Sequence, residues 1–186
     1  MCKVVLLGES SEITEIVRTF FKTEGKSIEE LMPGMRIYLK QLRLGEEVIA
    51  RLFVWDIRSE LLRRNPYFLR TFLAGATCAI IVIDPTNPES LFRASVYVAS
   101  FIAVAHNFTS FIILVVNKSQ DSKIPIEKIR EFGKYIQQRY QIPVLVFETS
   151  IQHFEEDFEE FLSDALFSMI LKKESLVRSQ IINEQS

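Results

Sequence analysis

The sequence predicts an α/β fold of three layers, a doubly wound and mostly parallel six-stranded sheet with one antiparallel edge strand. Short runs rich in Val, Ile and Leu alternate with longer stretches of helical periodicity, the pattern of a sheet covered on both faces. The segment "LGEEV" between Leu44 and Val48 reads as a hairpin turn, so the second and third strands should run antiparallel. A chain of 186 residues, 48% apolar and 25% charged, suits one core and gives no reason to divide it.

The strands are expected at Val4 to Leu7, Met35 to Leu44, Val48 to Trp55, Cys78 to Ile83, Ile112 to Val116 and Val144 to Phe147. Helices are expected at Glu12 to Phe21, Leu61 to Phe72, Pro88 to His106, Pro125 to Arg139 and Phe154 to Lys172. Residues 1–172 form a single domain on this reading. Residues 173–186 turn polar and should fray.

Charge and composition narrow the function. A net charge of −2 with scattered Lys and Arg gives no footprint for DNA or RNA. Cys2 and Cys78, far apart in the chain, suit reduced thiols in the cytoplasm better than a disulfide framework. No signal core precedes the domain and no terminal cysteine offers a prenylation site, so no intrinsic membrane anchor is expected. Any membrane association would be peripheral and mediated by a partner.

The turns at the strand ends, taken in order, resemble one family, the Ras-like small GTPases and most closely their Ras and Rab branch. "KVVLLGES" resembles the first strand and the opening of the phosphate loop, and "LFVWDIRSE" resembles the strand entering the Asp-x-x-Gly-Gln turn. "AGATCAIIVIDPTNPESL" resembles the fourth strand and the start of the third helix. "ILVVNKSQD" resembles the guanine motif Asn-Lys-x-Asp, and "VFETS" the Glu-Thr-Ser-Ala-Lys motif behind the base. Five weak matches in the family's order cover nearly the whole chain and imply the phosphate-loop GTPase version of the fold.

The departures fall on the residues that would perform the chemistry. The family's loop, Gly-x-x-x-x-Gly-Lys-Ser/Thr, supplies inward amides, a lysine for the terminal phosphates and a hydroxyl for magnesium. Here "GESSEITE" keeps Gly8, but Ile13 replaces the second glycine, Thr14 the lysine and Glu15 the hydroxyl. Glu9, Glu12 and Glu15 gather carboxylates where a triphosphate would sit, and each like-charge pair at roughly 4 Å costs about 4 kcal/mol at an effective dielectric of about 20. The same glutamates also suit a helix start without any ligand.

Asp56 is kept where the family holds magnesium indirectly, but Ser59 and Glu60 replace the switch glycine and the water-orienting glutamine. In the first-switch segment "LMPGM", neither Met32 nor Pro33 supplies the magnesium-binding hydroxyl. At the base end Asn117, Lys118 and Ser150 match. Gln120, however, stands where the guanine-reading aspartate belongs, with Asp121 one residue late. The structural reading of Asn117 and Lys118 is that they tie loops together.

Two surfaces suggest partners. Between Arg93 and His106 there is no acidic or basic residue. If Leu91, Ala94, Tyr97, Val98 and Phe101 face the sheet, then Phe92, Val96, Ala99 and Ala103 form an apolar stripe outside, unless "LVRSQII" folds back over it. In "RSELLRRNPYFLRTF", Arg63, Arg64, Tyr67 and Phe68 mix the residue types that anchor interfaces.

The resemblance and its losses together imply a catalytically inactive pseudo-GTPase with no catalytic residue, metal or cofactor. It would bind a protein partner, or a second copy of itself, constitutively. The alternative is an unconventional small GTPase that holds GTP or GDP with magnesium weakly, through Gly8, Asp56, Asn117, Lys118 and Ser150, and regulates trafficking or signalling. A further reading, a phosphoryl-receiver pocket of Asp56, Asp84 and Lys118, fits "DPTNPES" and "FETS" less well.

Overall fold

A computed structural model of the chain describes residues 2–9, 11–24, 26–32, 35–44, 46–58, 71–104, 110–117, 122–165 and 168. Its elements are β1 (Cys2–Leu7), α1 (Glu12–Glu24), β2 (Lys26–Met32), β3 (Met35–Leu44) and β4 (Glu47–Ile57), followed by β5 (Cys78–Ile83), α2 (Glu89–Val104), β6 (Ser110–Asn117), α3 (Ile126–Tyr140) and β7 (Val144–Ser150). A 3₁₀ turn, Ile151–His153, leads into a helix at 154–165. Of the helix expected from Leu61 to Phe72, only the turn at 71–73 lies among the described residues.

The fold is α/β with a mixed sheet of order β2-β3-β4-β1-β5-β6-β7. β3 pairs antiparallel with both β2 and β4, and the remaining pairs are parallel. The expected hairpin is present, with Leu44 opposite Glu47. Two corrections follow. The described residues make seven strands rather than six, and the antiparallel strand β3 lies one place in from the edge. The extra strand, "KSIEELM", has no alternating apolar face and breaks register twice against β3. It lies at the edge of the sheet and pairs only with β3. It also moves the first-switch match, because Met32 ends β2 opposite Met35; Pro33 lies outside the described residues.

β5 is buried at every position and β6 at all but Asn117, as expected of parallel strands covered on both faces. Even-numbered residues of β1 and β5 meet α1 and the helix of residues 154–165 through Ile13, Val17, Phe20, Phe21, Phe154, Phe158 and Leu162. Odd-numbered residues meet α2 and α3 through Ala94, Tyr97, Val98, Phe101, Ile129 and Ile136. The three layers are therefore present, with helices on both faces. β1 and β5 are neighbours whose following helices cover opposite faces, so a crevice opens at their C-terminal ends.

Candidate functional site

Gly8 leaves β1 in that crevice and is buried. A Cβ there would lie 2.9 Å from Thr14 Oγ1, 3.0 Å from Thr14 Cγ2 and 3.1 Å from Val82 Cβ, so glycine is required by close packing. Ser11 caps α1: its Oγ accepts the Thr14 backbone N–H at 3.2 Å, and its carbonyl accepts the Glu15 N–H at 3.0 Å. This cap aims Ile13 and Thr14 inward, each 1% exposed. Thr14, at the family's lysine position, is thus a packing residue folded against Gly8, and Ile13 belongs to the core. Glu9 turns toward the other layer and accepts a hydrogen bond from the Tyr97 hydroxyl of α2.

The centre of the site is an ion pair that the sequence reading did not single out. Arg18, one turn along α1 from Thr14, donates from Nε to Asp56 Oδ1 and Oδ2, both at 3.0 Å, and from Nη1 to Glu15 Oε1 at 2.6 Å. Arg18 is 5% exposed and Asp56 4%. Burial pushes the Asp56 carboxyl above its ordinary value, against the pull of the Arg18 charge. Burial would lower the Arg18 guanidinium, but Asp56 and Glu15 outweigh it and keep Arg18 firmly cationic. Arg18 Nη2 is buried without a hydrogen-bond partner. A signal was present in the sequence: Arg18 falls inside the arc of Thr14, Val17 and Phe21 that faces the core, where a lone cation must find a carboxylate.

An open cleft of about 730 Å³ runs between α1 and residues 151–156. Glu12, Glu15, Glu155 and Glu156 line it over a floor that includes Ile16 and Phe154. Glu12 and Glu15 line this cleft, whose lining does not include Gly8, Thr14 or Asp56, while Glu9 accepts from Tyr97. Among the described residues no group of three or more His, Cys, Asp or Glu side chains is placed to hold a metal ion.

At the C-terminal ends of β6 and β7, Asn117 and Ser150 sit opposite each other in the register of the two strands. Asn117 Nδ2 donates to Glu148 Oε1 at 2.7 Å, and the other oxygen of Glu148 meets Arg130 Nη2 at 3.3 Å. Asn117 thus ties two strands together. Thr149 Oγ1 donates to Asp157 Oδ2 at 2.7 Å and anchors the start of the last helix. Asp84 is a turn cap, accepting from Thr86 N at 3.0 Å and Thr86 Oγ1 at 2.7 Å. Asp84 follows β5 and Asp56 lies in β4, on either side of β1.

Lys118, Gln120, Asp121, Ser59, Glu60, Arg63, Arg64, Tyr67 and Phe68 lie outside the described residues. On α2 the expected inward set of Ala94, Tyr97, Val98 and Phe101 is buried, with Leu91 half-buried. Phe92 is 66% and Val96 44% exposed, with Ala99 and Ala103 exposed beside them. Asn87 caps this helix by accepting the Glu89 N–H at 3.1 Å, with Pro88 at the first helical position. No helix among the described residues is long and apolar enough to cross a membrane.

No protein-family model matches the chain, and no curated protein matches it.

Proposed function

We propose that this protein is a degenerate member of the Ras-like small GTPase fold, a pseudo-GTPase that acts as a constitutive interaction or scaffold protein in the cytoplasm. The observation that carries the reading is the Arg18 guanidinium, held between Glu15 and Asp56. In the family resemblance these two positions belong to the magnesium hydroxyl and to the aspartate that holds magnesium indirectly. Here a fixed side-chain cation serves both, and it is anchored by α1 instead of arriving with a ligand.

The residues present do not fit a magnesium triphosphate. Thr14 is packed against Gly8 where a lysine would reach forward, and Asp56 and Glu15 are already engaged by Arg18. With the cation internal, the site has no ligand-dependent state to switch, and binding of partners would not depend on nucleotide.

One observation favours the second reading, an unconventional small GTPase that seats GTP or GDP weakly. Asn117 and Ser150 remain side by side at the ends of β6 and β7, as a base pocket requires. A calorimetric titration with GTP and GDP, with and without magnesium, separates the two. The scaffold reading expects no saturable heat in any arm. A dissociation constant below about 1 µM that tightens with magnesium would overturn it.

A further inference from the structure

The outward residues of α2 are Phe92, Val96, Ala99 and Ala103, spaced four, three and four apart. That is the spacing of a helix–helix seam. We propose that this stripe is the contact surface of a two-fold dimer, in which α2 of a second copy lies antiparallel on it.

The order of sizes along the stripe selects the partner. The two large side chains lie at the N-terminal end and the two small ones at the C-terminal end. Laid antiparallel about an axis between residues 97 and 98, Phe92 packs on Ala103 of the second copy and Val96 on its Ala99. Large then meets small at every layer, and the two-fold axis repeats each contact. A parallel pair would set Phe92 on Phe92 and leave a gap between the alanines.

Charge points the same way. The acidic and basic residues of α2 are Glu89 and Arg93, paired in the first turns at 3.9 Å, and its last turn holds no cation. In the antiparallel pair, Arg93 of the second copy lies beside that last turn, where a positive charge suits the helix dipole. In a parallel pair the two Glu89 side chains would face each other. The helix of residues 154–165 packs on the opposite face of the sheet and does not cover the stripe, and "LVRSQII" lies outside the described residues. A 16-residue helix is about 24 Å long, so the contact stands at the small end of specific interfaces and the dimer should be weak.

The inference rests on α2 as a partner surface and not on the lost nucleotide chemistry, which the calorimetric titration tests separately. Sedimentation equilibrium of the full chain from about 5 µM to 500 µM should show the mass climbing from 21.6 kDa toward twice that value. Phe92→Glu, at an exposed position, should weaken association at least ten-fold with an unchanged far-UV circular dichroism spectrum, and Ala103→Glu should do the same. In a Cys2→Ser background, mild oxidation of a mixture of V96C and A99C proteins should give a disulfide-linked dimer, whereas V96C alone should not. A monomer at every concentration, association unchanged by both charge variants, or V96C cross-linking to itself would each overturn the proposal.

Discussion

Arg18 Nε sits 3.0 Å from both carboxylate oxygens of Asp56, with both side chains inside the protein. A helix of one layer is thereby tied to the penultimate residue of β4, beside Leu6 near the end of β1.

Removing one half of this pair leaves the other buried and unpaired. Arg18→Ala should therefore cost about 3–5 kcal/mol, read as a lower urea midpoint, while Arg18→Met with Asp56→Leu should recover most of it. The pH dependence identifies the cause. A carboxyl with a raised folded-state pKa contributes stability at low pH that is lost as pH rises through that pKa. Without Arg18 the Asp56 pKa goes higher still. The deficit of Arg18→Ala relative to wild type should be greatest at neutral pH and shrink as pH falls toward 5.

Phe92 and Phe101 lie on opposite faces of one helix, at 66% and 0% exposure. Phe101 meets Phe111 edge to face, with ring centroids 5.3 Å apart. Phe101→Ala should lower stability by about 3–5 kcal/mol, and Phe92→Ala at dilute concentration should leave it within about 0.5 kcal/mol. Equal losses in thermal melts of the two variants would contradict the assigned orientation of α2.

The parts of the fold legible in the sequence were those where burial alone sets the pattern. "CAIIVI" and "FIILVV" are continuous apolar runs because both faces of β5 and β6 are covered, and Gly8 marks a turn because nothing larger fits there. The strand "KSIEELM" was not legible, since its apolar residues Ile28, Leu31 and Met32 do not alternate with polar ones at a period of two. Arg18 was missed for another reason: its role needs Asp56, 38 residues away, and that proximity comes only from β4 lying beside β1. The outward stripe of α2 was readable because it contrasts with a buried stripe on the same helix.

Cys78 and Cys2 should separate cleanly in reactivity. Cys78 is wholly buried between Ala79 and Ser110, and burial pushes its thiol up to about 12. At pH 9, only about a thousandth would be thiolate even with access. Native protein at pH 8 should give no more than one thiol equivalent with a disulfide reagent, the second appearing only on unfolding. The same shift has a stability consequence. The folded state holds this proton while the unfolded chain, with a thiol pKa near 9.0, releases it, so stability should fall as pH rises from 9 toward 12. A rapid second equivalent from the folded protein would contradict the burial of β5.

The contact between Gly8 and Thr14 allows the turn after β1 to be tested without any ligand. A methyl at residue 8 would sit 2.9 Å from Thr14 Oγ1, with Val82 blocking retreat at 3.1 Å. Gly8→Ala should cost about 1–3 kcal/mol through overpacking. Thr14→Ala removes both crowding atoms, so the double variant should be more stable than the sum of the single losses by at least about 0.5 kcal/mol. Additive losses in urea unfolding would show that the two residues are not packed together. In that event Thr14 would be free to point away from the core, and Thr14→Lys would be tolerated instead of causing the core disruption expected from its burial.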